Sequence, residues 1–190
     1  MERAKPASEA RKRILETADR LFYQDGIRAV GIDRIIAEAG VAKMTLYAHF
    51  PSKDDLIVAV LMHRENTLLA FFREAMARHA GSTRDALEAF FAALKELFAA
   101  PGFRGCAFQN AAAELADPAH PGFVFARGQK QRFAEMLRGF VAEAVGAAKA
   151  DALAPAVTLV VEGAIVNAVV HRSAAFADTA REAVARLIGR

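Results

Sequence analysis

Lys43, Thr45, Tyr47 and His49 lie within one seven-residue stretch, and Lys53 follows just after Phe50-Pro51-Ser52. An ammonium, a hydroxyl, a phenol and an imidazole can all donate hydrogen bonds to phosphate oxygens and to base edges. At helical spacing Leu46 and Phe50 turn toward a core, which leaves Lys43, Met44, Thr45, Tyr47, Ala48 and His49 on the outward arc. Lys53 falls at the start of the next helix, where its charge and the free backbone N–H groups suit one phosphate. Taken singly, each residue has an ordinary reading: a solvated lysine, a half-buried tyrosine, a surface or core histidine. Their joint spacing points to nucleic acid. Catalysis has less to stand on. Asn110, Glu114 and His171 would be its polar set, and no nucleophile–base pair, metal-ligand cluster or glycine-rich phosphate loop accompanies them. No enzymatic activity, cofactor or metal is expected.

The local elements explain how these residues are presented. A short helix at about 32–39 carries Asp33 in its first turn, where negative charge favours the positive helix end. Gly40 permits the sharp turn, and the helix bearing Lys43 then runs over about 42–50. Pro51 ends it, and Ser52 with Asp55 begins the next as a capping-box variant. Two short helices joined by a glycine-containing turn form a helix-turn-helix, whose second helix can enter the DNA major groove. Charge agrees with this reading. Residues 1–53 hold ten Lys/Arg against seven Asp/Glu, whereas residues 54–190 hold fifteen of each.

Ser8 is a candidate cap for a first helix whose apolar face is Ile14, Leu15, Ala18, Leu21 and Phe22, ending near Gly26. Beyond the second glycine-bounded unit, helices are expected to about 79, from a Ser82/Asp85 cap, over 106–115, 123–147 and 151–173, and from an Asp178 cap to 188. Pro155 would then sit in a first turn, where it is tolerated. The chain is predicted to be all-α with about nine helices. An N-terminal three-helix DNA-binding domain (1–51) precedes a helical ligand-binding and dimerisation domain (52–190).

The second part is rich in phenylalanine, and an aromatic bundle with a few polar groups suits a small-molecule pocket. Phe90, Phe91, Phe133, Cys106, Asn110 and Glu114 are its candidate lining. The other reading is that the aromatics simply fill a core and that Glu114 caps a helix or pairs with an arginine. Cys106 reads either as a redox-sensitive thiol or as a small core residue. The run LAPAVTLVVEGAIVNAVVH is apolar on nearly every side and must be covered all round. Val161, Ala164, Ile165 and Ala168, with Val184, Leu187 and Ile188 of the last helix, are the candidate two-fold interface. Pro155, Glu162 and Asn167 interrupt the run, which argues for a buried helix rather than a membrane span. A single cysteine in a chain of 190 residues, 54% of them hydrophobic, fits a reducing cytoplasm without a disulfide framework.

The N-terminal segment resembles the tetracycline-repressor (TetR) family of bacterial transcriptional regulators. The matching residues are Ile14-Leu15, Ala18, Leu21-Phe22, Gly26, Ile35, Ala39-Gly40-Val41, Thr45-Leu46-Tyr47, His49-Phe50, Ser52-Lys53 and Leu56. The resemblance implies a homodimer on a palindromic operator of double-stranded DNA, released when a small-molecule effector binds the C-terminal domain. It implies base reading by Lys43, Met44 and Thr45, phosphate contacts from Tyr47, His49 and Lys53, and Gly40 as the turn glycine. Four departures stand out: Gly31 and Ala42 replace hydroxyl-bearing residues, Ile36 replaces a small alanine, and Met44 replaces a common glycine. The missing hydroxyls leave open an alternative, a small-molecule-binding helical protein whose DNA-binding unit has decayed.

Overall fold

Apolar residues recur every three or four positions along the chain, and helix follows that pattern. The computed structural model describes residues 6–190, with side chains from Glu9 onward, so the expected Ser8 cap lies outside the described side chains. Among the described residues there are nine helices: α1 (Pro6–Asp25), α2 (Ile32–Ala39), α3 (Lys43–His49), α4 (Lys53–His79), α5 (Ala86–Ala99), α6 (Ala107–Leu115), α7 (Pro121–Val145), α8 (Ala147–Val170) and α9 (Ala175–Leu187).

Two compact units form. The first comprises residues 1–66 with 107–128, and the second 67–106 with 129–190. The first unit therefore recruits α6 and the start of α7 from far along the chain. Its core is Ile14, Ala18, Leu21, Ile35, Leu46, Phe50, Leu56 and their neighbours, all buried. Gly40 has φ 62° and ψ 45°, the left-handed conformation that ends α2. Val41 N–H then bonds to the Ile36 carbonyl at 3.3 Å, closing the turn into α3. Neither α2 nor α3 has a side-chain cap: Gly31 and Ala42 occupy those positions in extended conformation. Both helices form nonetheless, seated by Ile35, Ala39 and Leu46. Ser52 Oγ accepts from Asp55 N–H at 3.0 Å and donates to the Asp55 carboxylate at 2.7 Å, as the capping pattern predicts.

The second unit is an aromatic-rich bundle. Phe72 stacks on Phe90 at 5.2 Å, Phe91 meets Phe90 edge-on at 5.5 Å, and Phe133 lies 6.3 Å from Phe90. α9 packs along α8 and α5. Asp85, not Ser82, caps α5 by accepting from Glu88 N–H at 3.1 Å.

Three sequence expectations are corrected here. Gly146, with φ 88°, ends α7, so α8 starts at Ala147 and Pro155 lies inside it rather than in its first turn. The pyrrolidine removes one backbone donor there, yet close packing of Ala154, Val157 and Val161 holds the helix. α9 begins before Asp178, which falls in its first turn instead of capping it. The candidate two-fold interface is also mostly internal. Val161, Ala164, Ile165, Ala168 and Val184 are buried within the subunit's own second unit, and Ile188 packs against the same core. Of that set only Leu187 is exposed, at 42%. The outward face of α8 is instead Leu159, Val166 and Val170, exposed at 74%, 51% and 69%. α8 is long and apolar enough to cross a membrane by length and composition, but one face lies in the protein core.

Candidate nucleic-acid interface

α3 is seated by two side chains and offers the rest outward. Leu46 and Phe50 are buried, Lys43, Tyr47 and Ala48 are exposed, and Thr45 and His49 are half-buried. Met44 is 80% exposed, an apolar side chain that the first unit leaves in water. Lys43 Nζ comes 3.9 Å from Asp33 Oδ1, with both side chains largely exposed. Such a pair is held weakly and leaves the ammonium available. The six residues expected on the outward arc are therefore presented together.

Lys53 is placed differently from its neighbours. Its ammonium donates to the Ile27 carbonyl at 2.7 Å and lies 5.9 Å from the Phe22 ring centroid. Burial lowers its pKa, against the nearby Asp54 and Glu114 charges. The lysine thus ties the start of α4 to the turn after α1. Asp54 and Asp55 occupy the first turn of α4 beside it. The clamp of one phosphate by Lys53 and free backbone N–H groups is consequently crowded by carboxylates.

Sequence reasoning passed over Arg11. Its guanidinium carbon sits 5.2 Å from the Phe50 ring centroid, which brings an exposed cation to the C-terminal end of α3. Nothing local signals this, because Arg11 and Phe50 meet only through the tertiary packing of α1 on α3.

α6 braces the same unit. Glu114 Oε2 accepts from Arg28 N–H at 3.0 Å, and the Arg28 guanidinium reaches the Leu115 carbonyl at 3.5 Å. Gly26, with φ 94°, lies so close that an added Cβ would meet Glu114 Oε2 at 2.9 Å. In the turn before α7, His120 Nδ1 accepts from Gly122 N–H at 3.0 Å, leaving Nε2 to face Asp54 at 3.2 Å. Farther along α4, Arg64 pairs with Asp19 at 2.6 Å and lies 3.7 Å from the Tyr23 ring centroid. Burial raises the Asp19 pKa despite the Arg64 and His63 charges.

The candidate pocket residues divide. Asn110, exposed, and Glu114, committed to Arg28, belong to the first unit. Glu114 thus accepts from a backbone N–H of the turn after α1 instead of pairing with an arginine side chain. Phe90, Phe91 and Phe133 are buried in the second unit. Phe91 also lines a cleft of about 180 Å³ with Arg181, Val184 and Ile188. Cys106 is half-buried, its Sγ 3.9 Å from Lys130 Nζ, and Lys130 is ion-paired with Glu162. A polar residue that the sequence reading missed is Gln129, only 6% exposed on the core face of α7.

Comparison with known proteins agrees with the geometry. Residues 14–60 match the model of bacterial regulatory proteins of the tetR family. SCO4454, a TetR-family transcriptional regulator from Streptomyces coelicolor, is 36% identical in sequence, with a TM-score of 0.83 over 95% of each chain. The multidrug binding protein EbrR, solved with malachite green, is 25% identical, with a TM-score of 0.69 over 95% of this chain and 98% of that one. The transcriptional activator FasR of Mycolicibacterium smegmatis is 38% identical over 89 residues, 45% of this chain. The chain spans only 41% of the length of that protein. SCO4454 and FasR are transcriptional regulators, and on the similarity to SCO4454 over nearly its whole length the chain belongs to the TetR family of transcriptional regulators.

Proposed function

We propose that this chain is a cytoplasmic, homodimeric regulator that binds a palindromic operator and releases it when a small molecule occupies its second unit. The observation that carries the reading is one arc of α3 on which Lys43, Met44 and Tyr47 are exposed and Thr45 and His49 are half-buried beside them. Lys43, Met44 and Thr45, at the front of α3, read base edges; the Met44 thioether suits a thymine methyl. Tyr47 and His49 hold phosphates, joined by Arg11 from α1. Lys53 contributes by exchanging the Ile27 carbonyl for a phosphate oxygen as the helix docks.

Dimerisation uses the outward stripe Leu159, Val166 and Val170, continued by Leu187. Two copies of this stripe bury each other and set the two recognition helices about 34–36 Å apart, one turn of DNA. Ligand response is supported by the aromatic second unit and by the similarity to EbrR, a dye-binding relative. α4 begins in the first unit and ends in the second. A ligand-induced shift of α4 would pull on Lys53–Ile27 and Arg64–Asp19 and change the spacing of the recognition helices. Repression is the expected outcome at a promoter-overlapping operator. A gel-shift with the intergenic DNA beside its own gene tests the reading: specific retention supports it, and retention no better than for random DNA rejects it.

A further inference from the structure

A buried polar atom normally has a partner, because desolvating it without one is costly. Gln129 departs from that rule. The residue is 6% exposed, and its Oε1 is buried without a hydrogen-bond partner. The residue sits on α7 four positions before Phe133, so the two share a face. Phe133 lies against Phe90, and Phe140, farther down α7, lies 5.8 Å from Phe90. On the flank of the same helix, Lys130 is paired with Glu162, and its Nζ lies 4.5 Å from the Phe133 ring centroid. Lys130 is thereby committed, and the amide oxygen of Gln129 is left as an unpartnered acceptor one helical turn from Phe133. An apolar side chain of similar volume would have packed there at no such penalty.

We infer that Gln129 anchors the effector, and that the effector is a ring-bearing apolar molecule carrying a hydroxyl or N–H donor. The ring stacks among the phenylalanines, and the donor satisfies Gln129 Oε1. This inference rests on the ligand-responsive reading above and supplies the chemical class that reading lacks. It also explains why a core position of α7 holds an amide.

Paired probes test it: 2-naphthol, which has the donor, and 2-methoxynaphthalene, which has the same rings without it. Binding is followed by thermal shift, and release by fluorescence anisotropy of labelled intergenic DNA. The wild-type protein should bind 2-naphthol about ten-fold more tightly than the ether, the loss expected for one buried hydrogen bond. Gln129→Met should remove that preference. It should also raise the melting temperature of the free protein, by about 2–4 °C for each kcal/mol of relieved desolvation. Equal binding of both probes by wild type, binding of neither, or a Gln129→Met protein less stable than wild type would each overturn the anchor. Donor-selective binding without release of DNA would leave the anchor standing and reject the ligand-responsive reading instead.

Discussion

Lys53 shows what single residues carry. Its ammonium donates to the Ile27 carbonyl, a contact 26 positions apart that no local pattern announces. Lys53→Ala should cost about 1–2 kcal/mol of stability by leaving that carbonyl unpaired, read from the denaturant midpoint. It should also lower the slope of log affinity against log salt by about one. An unchanged slope would remove Lys53 from the phosphate contacts and keep it as a brace. By contrast, Lys43→Ala and Met44→Ala should alter base preference in selections from random DNA while leaving stability within about 0.5 kcal/mol. The outward arc of α3 was legible because helical spacing alone sorts Leu46 and Phe50 inward. The contacts of Arg11 and Glu114 were not, since each depends on a partner brought close by the fold. Asp85 adds a pH signature. Burial would raise its pKa, but the Arg190 hydrogen bond and the Glu88 and Leu87 N–H groups outweigh that and hold it below the usual carboxylate range. A lowered pKa contributes stability above the unfolded value and loses it as pH falls through the folded one. The stability gap between wild type and Asp85→Asn should therefore be full near pH 6 and shrink below about pH 4. A gap independent of pH, in urea melts across that window, would contradict the pairing.

Elements were easier to read than their limits. Gly40 announced the turn between α2 and α3, and the Ser52–Asp55 pair announced the start of α4. α8 was misplaced because Gly146 was passed over and Pro155 was taken for a first-turn residue. Packing of the alanine and valine face overrides the local proline signal, which only tertiary structure reveals. Gly26 tests the bracing of the helix-turn-helix by α6. Its φ of 94° and its nearness to Glu114 both oppose a side chain. Gly26→Ala should destabilise the protein by about 1–3 kcal/mol through backbone strain, with part of the loss recovered in Gly26→Ala/Glu114→Ala. Full stability of Gly26→Ala in thermal melts would mean that the turn relaxes freely.

At the scale of the molecule, an apolar helix was visible in the sequence, but which of its faces looked outward was not. An all-apolar helix has no polar stripe to mark the solvent side, so the residues expected at the interface included Val161, Ala164 and Ile165, which are buried within the subunit. The exposed stripe places Leu159 at its most accessible point. Leu159→Arg should yield a folded monomer in sedimentation experiments, and a stable dimer of that variant would move the interface elsewhere. If α3 reads DNA in a two-fold protein, its outward side chains must carry much of the affinity for the operator. Anisotropy titration of labelled intergenic DNA, with wild type and Lys43→Ala/Tyr47→Ala side by side, decides this. Saturation by two protomers per site, with at least about ten-fold weaker binding by the variant, is the predicted result. Equal affinity of the two proteins for that DNA would mean that α3 does not read it.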